Sequence, residues 1–231
     1  NLVYNFRQND INNNGEGAPL TPIYHKLIAN DKKIDLPVSI LNIGGISNLT
    51  SINFDNKMTS SDIGPGNCLI DNWIRINSEN SFDIDGKISS SGKINEIILE
   101  QALDFFYNSS LSKNKSYDIK DFDISFVRGL SLADGAATLT EFTSQILSEK
   151  ILGKNIYVCG GGRKNEFLLK SIQKKIKGKI ELIDNLGVDG DFIESQAFAY
   201  LAIRSYLKLP ISFPETTGCS KECTGGEIID Y

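Results

Sequence analysis

The chain has 231 residues, 40% of them hydrophobic and 23% charged, which is ordinary globular composition and enough length for a sizeable core. Its 24 Lys and Arg against 29 Asp and Glu give a formal charge of −5, which argues against general affinity for nucleic acid or an anionic membrane. No apolar run approaches the roughly 20 residues needed to cross a bilayer, and the sequence reads without a signal peptide.

The first residue is Asn1, followed by apolar Leu2 and Val3. This reads as a chain entered mid-sequence, with an N-terminal part missing. Asn12 to Pro19 is a turn-rich loop, and Pro22 to Ile28 a short helix. Val38 to Ile43 is a β-branched apolar run ended by Gly44 and Gly45. Two further strands follow at 47–54 and 57–62, so that tight turns join three strands into an antiparallel meander. A helix is predicted over 67–77, a polar patch over 79–91 and a second helix over 93–107. Residues 108–130 read as irregular. Ser131 and Asp134 match a capping box that opens a helix to about Leu152. A strand at 155–159, a helix at 165–177, a strand at 179–183 and a helix at 191–207 complete the order.

Strands alternating with helices predict an α/β fold with a mixed sheet flanked by helices. The order resembles one lobe of the actin-like (ribonuclease H-like) ATPase fold. Residues 1–35 then read as the remnant of an N-terminal lobe and inter-lobe segment. Residues 36–231 read as the C-terminal lobe, with a helical insertion around 79–130.

Three glycine loops stand at strand ends: Gly44-Gly45 with Asn48, Gly64-Pro65-Gly66 with Asn67, and Gly160-Gly161-Gly162. Glycine lets backbone amides approach an anion, and a helix starting just after adds its positive end. Any one such loop is weak evidence; three at sheet strand ends point to a phosphate ligand. In SDIGPGNCLIDNWI (61–74), Asp62 ends the third strand beside a loop whose helix amides point across the same space. An acid there suits a base for phosphoryl transfer, or a side chain that caps its own turn. Asp71 follows on the helix and reads as a second acid or a solvated one.

The four cysteines, Cys68, Cys159, Cys219 and Cys223, form no framework. Cys219 and Cys223 are the close pair, without a second pair or clustered histidine to complete a zinc site. All four read as free thiols in a cytoplasmic protein, with a metal site at that pair the lesser reading. His25 reads as packing or a sugar contact, Trp73 as core, and Lys170, Lys174, Lys175 and Lys177 as a solvated helix face. Asp83 and Asp85 with Gly86 resemble half a calcium loop without its later ligands.

Several stretches together carry a resemblance: GEGAPLTP (15–22) with Tyr24 and His25, LNIGGISN (41–48), DIGPGN (62–67), and Asp71 to Trp73. Ala137 to Thr140, Cys159 to Gly162 with Asn165, ESQAFAYLA (194–202), and Pro214 with Thr217 and Gly218 continue it. The set resembles the 1,6-anhydro-N-acetylmuramic acid kinases of bacterial cell-wall recycling, in order across nearly the whole chain. The resemblance implies a kinase using ATP and Mg2+. It would open the anhydro ring with water and phosphorylate O6 to give N-acetylmuramic acid 6-phosphate. It implies Asp62 as the base, and Gly44, Gly45 and Asn48 near the phosphates. Gly160, Gly161, Gly162 and Asn165 would face the adenosine, and Arg7, Asp10 and Glu194 the sugar. No metal ligand from the chain is implied. Partners are the amino sugar and ATP, with room for a homodimer. The family's amino-terminal Gly-Thr-Ser-x-Asp-Gly phosphate loop and its Ser-His-Gly-Gln-Thr segment are not in the sequence, and Asn5 replaces a family Asp. These residues alone therefore lack part of the phosphate machinery. A non-catalytic sugar or nucleotide sensor of the same fold would lose the base, and Asp62 is present. A filament-forming relative would need an exposed apolar assembly face, and the sequence has no such segment.

Overall fold

The computed structural model describes residues 2–113 and 116–229. In chain order the elements are β1 (Leu2–Tyr4), α1 (Gln8–Asn12), α2 (Pro22–Asp31), β2 (Val38–Ile43), β3 (Ile46–Ile52), β4 (Met58–Pro65) and α3 (Cys68–Asn77). Then come α4 (Lys87–Ser91), α5 (Glu96–Asn108), α6 (Leu132–Lys150), β5 (Asn155–Cys159), α7 (Glu166–Lys175), β6 (Lys179–Leu182), α8 (Ile193–Tyr206), α9 (Pro214–Thr217) and β7 (Glu227–Ile229). The class is the expected α/β, with a mixed sheet flanked by helices.

One sheet has the order β4-β3-β2-β5-β6. The short links β2–β3 and β3–β4 leave neighbouring strands no room to cross over, so those pairs run antiparallel. β5 and β6, joined through α7, are parallel, with Asn155 opposite Lys179 and Val158 opposite Leu182. β2 is buried along nearly its whole length, which explains its unbroken apolar run. A second sheet pairs β1 with β7, Leu2 opposite Ile229.

The contacts divide the chain into two compact units: Asn1–Ile40, Thr50–Ser61 and Ile183–Tyr231 form one, and Leu41–Leu49 with Asp62–Leu182 the other. In the second unit, α6 puts Ala136, Leu139, Phe142 and Ile146 into a core shared with α3 and α5. Leu147 faces a second core with Leu41, Ile43, Ile156, Val158 and Leu168. Each such Leu or Ile contributes roughly 1.5–3 kcal/mol by leaving water. Trp73 belongs to the first core, as expected, and its Nε1 donates to Leu132 O at 2.9 Å. In the first unit Tyr24 of α2 donates to Gln196 of α8 at 2.7 Å. His25 is buried there, which makes it a packing residue.

The structure changes several local expectations. The third strand does not stop at Asp62 but runs through to Pro65. The apolar Ile63 is buried in the second unit's core and carries the strand onward. Ser131 accepts from Asp134 N as a cap, but the Asp134 carboxylate accepts from Lys93 N at 2.7 Å, so only half of that box forms. The last long helix starts at Ile193 rather than Asp191, and Asp191 N donates to Asp189 Oδ1 at 2.9 Å. In the predicted polar patch, Asp83 accepts from Ile88 N, Ser89 N and Ser89 Oγ, which commits its carboxylate to building α4. Lys175 is not solvated like Lys170; it pairs with Glu141 at 2.6 Å in a largely covered position.

Candidate active site

The site is built in the second unit, where the three glycine loops meet. Gly44-Gly45 turns β2 into β3, and its carbonyls face the loop that follows β4. Gly66 N donates to Gly45 O at 2.9 Å, Asn67 N to Gly44 O at 2.8 Å, and Cys68 N to Gly45 O at 3.2 Å. These three amides are therefore spent on the hairpin. The sequence suggests amides open to an anion at this loop; here they fix the start of α3 against the sheet instead.

The third loop joins the same cluster. Gly160 has φ of 80°, and a Cβ there would stand 2.4 Å from Asn42 Oδ1 and 2.6 Å from Ile43 O. Glycine alone lets the chain leave β5 so close to β2. Gly161 and Gly162 then pass the side-chain amide of Asn67. Asn165 accepts from Leu168 N at 3.0 Å and so caps α7, with its first turn at the loop.

Asp62 is half-buried on β4, two residues before Gly64. Its Oδ2 accepts from Tyr117 N at 3.0 Å. The same segment carries Ile119, whose side chain lies beside Gly45. Tyr117 and Ile119 thus bring one segment beside both the carboxylate and the first glycine turn. Burial, and then the charges of Asp62 and Asp121, push the Tyr117 hydroxyl up. Sequence reasoning missed Tyr117, because a backbone donor 55 residues away leaves no local signal.

On the side of Gly161, a cavity of about 460 Å³ is lined by Asn67, Asp71, Asp83, Gly161, Lys164 and Asn165, among others. That is a ligand-sized volume. Burial first raises the Asp71 carboxyl to about 6; Arg75 opposes the shift and Asp83 adds to it. Asn67 and Asp71 lie one turn apart on α3, a spacing that could have marked them as neighbours. Asn48 is half-buried on β3, and its Oδ1 is shut off from solvent with no hydrogen-bond partner among the described residues. An orphaned oxygen of this kind is unusual and leaves a polar atom for a ligand.

The remaining expected residues lie in the first unit. Arg7 precedes α1 and is exposed, and Glu194 is exposed in the first turn of α8. Asp10 is buried; its Oδ1 accepts from Thr217 Oγ1 at 2.6 Å and its Oδ2 from Gly17 N at 2.7 Å. No helix among the described residues is long and apolar enough to cross a membrane.

The family model described as anhydro-N-acetylmuramic acid kinase matches residues 1–230. A protein of that name from Pelagibacter ubique is 52% identical over 242 residues, covering 99% of this chain and 64% of its own. Another, from Zymomonas mobilis, is 38% identical over 233 residues, covering 98% and 63%. The chain thus spans a little less than two thirds of the length of these relatives. A solved structure of the activator of 2-hydroxyisocaproyl-CoA dehydratase from Clostridium difficile, with bound ADPNP, aligns with 78% of the chain and 67% of its own, at 14% identity and a TM-score of 0.47.

Proposed function

Because the chain belongs to the anhydro-N-acetylmuramic acid kinase family, we propose that it forms the base-bearing part of an ATP-dependent kinase acting on the 1,6-anhydro sugar. The observation that carries this reading is the meeting of all three glycine loops on the unit that also holds Asp62. In the proposed reaction Asp62 takes a proton from a water as that water's oxygen bonds to C1. The C1–O6 bond breaks, and O6 bonds to the γ-phosphorus as ADP leaves. The product is N-acetylmuramic acid 6-phosphate, made in the cytoplasm during cell-wall recycling.

The Tyr117 amide orients the carboxylate. The Ile119 side chain lies beside the first glycine turn. The cavity at Gly161 and Asn165 is assigned to the adenosine, and Gly44, Gly45 and Asn48 to the phosphates. Mg2+ prefers oxygen donors, and the orphaned Asn48 Oδ1 together with the phosphates fits that preference. When bound it neutralises phosphate charge. Arg7 and Glu194 are assigned to the sugar, and Asp10 to holding the Gly17 amide and the Thr217 hydroxyl beside it.

The test is ADP release by the complete protein with ATP and the anhydro sugar, repeated with Asp62→Asn. Loss of the base is expected to lower turnover by roughly 10²–10⁴-fold with ATP still bound. Equal turnover in the variant removes Asp62 from this role. Binding of both ligands without ADP release by the natural protein makes it a sensor.

A further inference from the structure

Away from the glycine loops, a cluster of chemistry-bearing side chains includes two cysteines that the proposed reaction does not use. Asp10 on α1 comes together with Cys219 and Cys223, and their ligand atoms all lie within 4.8 Å of one another. All three are buried: Asp10 is 1% exposed and each cysteine 2%. The cysteines sit in the loop after α9. That helix ends at Gly218 in the left-handed region, with φ of 74°, which turns the chain back on itself. Both sulfurs point to one place, since Cys219 Sγ lies 3.0 Å and Cys223 Sγ 3.1 Å from Lys221 O.

The surrounding backbone is tied down on each side. Cys223 N donates to Ser212 O at 3.0 Å, Ser220 N to Asn13 O at 2.8 Å, and Glu16 N to Thr217 O at 2.9 Å. The loop that carries the two cysteines is thus held in place by its own backbone hydrogen bonds. Asp10 accepts from Gly17 N and Thr217 Oγ1, one bond at each oxygen. Each carboxylate oxygen has a second lone pair left to give.

We propose that Asp10, Cys219 and Cys223 bind one thiophilic divalent cation of the Zn2+ class. Two sulfur donors beside one carboxylate suit such a cation, whereas Mg2+ and Ca2+ take oxygen donors alone. Cys-x-x-x-Cys falls within the spacing of zinc-binding cysteine loops. On binding, the two thiols release their protons to solvent, so the dication faces two thiolates in a buried place. Binding therefore weakens as pH falls. Three protein ligands leave a fourth position for water. The cation would staple α1 to the loop after α9, two segments far apart in the chain.

The test uses the full chain, reduced, stripped with a chelator and titrated with Co2+ as the probe. One equivalent is expected to give thiolate-to-cobalt charge-transfer absorption and the strong visible bands of a tetrahedral site, and Zn2+ to displace it. The double variant Cys219→Ser, Cys223→Ser should lose these bands, while Cys68→Ser with Cys159→Ser keeps them. Asp10→Asn should weaken the titration and leave the charge-transfer band at saturation. Should the double variant fail to fold, each single cysteine variant must by itself lower the charge-transfer intensity. Absence of the bands in the reduced wild-type chain, or their survival without Cys219 and Cys223, overturns the proposal. So does a disulfide between the pair in protein that takes up no Co2+ after reduction.

Discussion

A Cβ on Gly66 would stand 2.2 Å from the carbonyl oxygen of Gly44. That oxygen is fixed, because it accepts from Asn67 N at 2.8 Å. Gly66→Ala must therefore push the start of α3 off the first hairpin. A loss of about 1–3 kcal/mol is expected in urea unfolding, as for other overpacked sites. Gly161→Ala is the control. Its Cβ would meet nothing nearer than Asn67 Nδ2 at 4.0 Å, so stability should hold within about 0.5 kcal/mol.

Asn165 ends the third glycine loop and caps α7 through Leu168 N. Asn165→Ala removes that acceptor and should cost about 1 kcal/mol in thermal or urea unfolding. Asn165→Asp keeps an acceptor and should recover most of the loss. If both variants unfold like the parent, the cap carries no weight.

His25 Nδ1 lies 2.9 Å from Thr50 Oγ1, and its Nε2 has no partner among the described residues. Burial lowers its pKa to about 4, against an ordinary 6.5. The unfolded chain then binds the extra proton between those values, so this residue's contribution is present above pH 6.5 and lost as pH falls toward 4. The linkage is worth about 3 kcal/mol over that window. Urea unfolding at pH 7 and pH 4.5 should show His25→Asn losing less stability on acidification than the parent.

Asp71 has the opposite sign. Its folded carboxyl titrates at about 6 against an ordinary 3.8, chiefly through burial. The folded state holds the extra proton, so stability falls as pH rises through that window. The side chain is partly exposed, and screening leaves an effect of order 1 kcal/mol. Asp71→Asn should therefore stabilise the protein at pH 7 and change little at pH 4. Destabilisation at pH 7 would show that the carboxylate has a favourable partner there.

Strong local patterns were legible in the sequence. The β-branched run of β2 and the apolar stripe of α6 announced themselves, and each is buried as its pattern requires. So did the three glycine loops. What stayed hidden was long-range pairing. β1 and β7 are three residues each and largely exposed, so no periodicity marks them. Tyr117 N on Asp62, and Asp10 beside Cys219 and Cys223, depend on segments brought together by the fold. The amides of Gly66, Asn67 and Cys68 seemed available because a sequence shows donors but not the carbonyls that claim them.

The second unit, Leu41–Leu49 with Asp62–Leu182, is complete before the ribosome reaches Ile183. The first unit needs Ile183–Tyr231, and its β1 waits for a partner at Glu227–Ile229. During synthesis the glycine loops and Asp62 can settle while the opening residues are still unpaired. A stalled ribosome from which the chain has emerged through Leu182 would therefore display a folded second unit joined to an unfinished first one, and protease would trim the latter first.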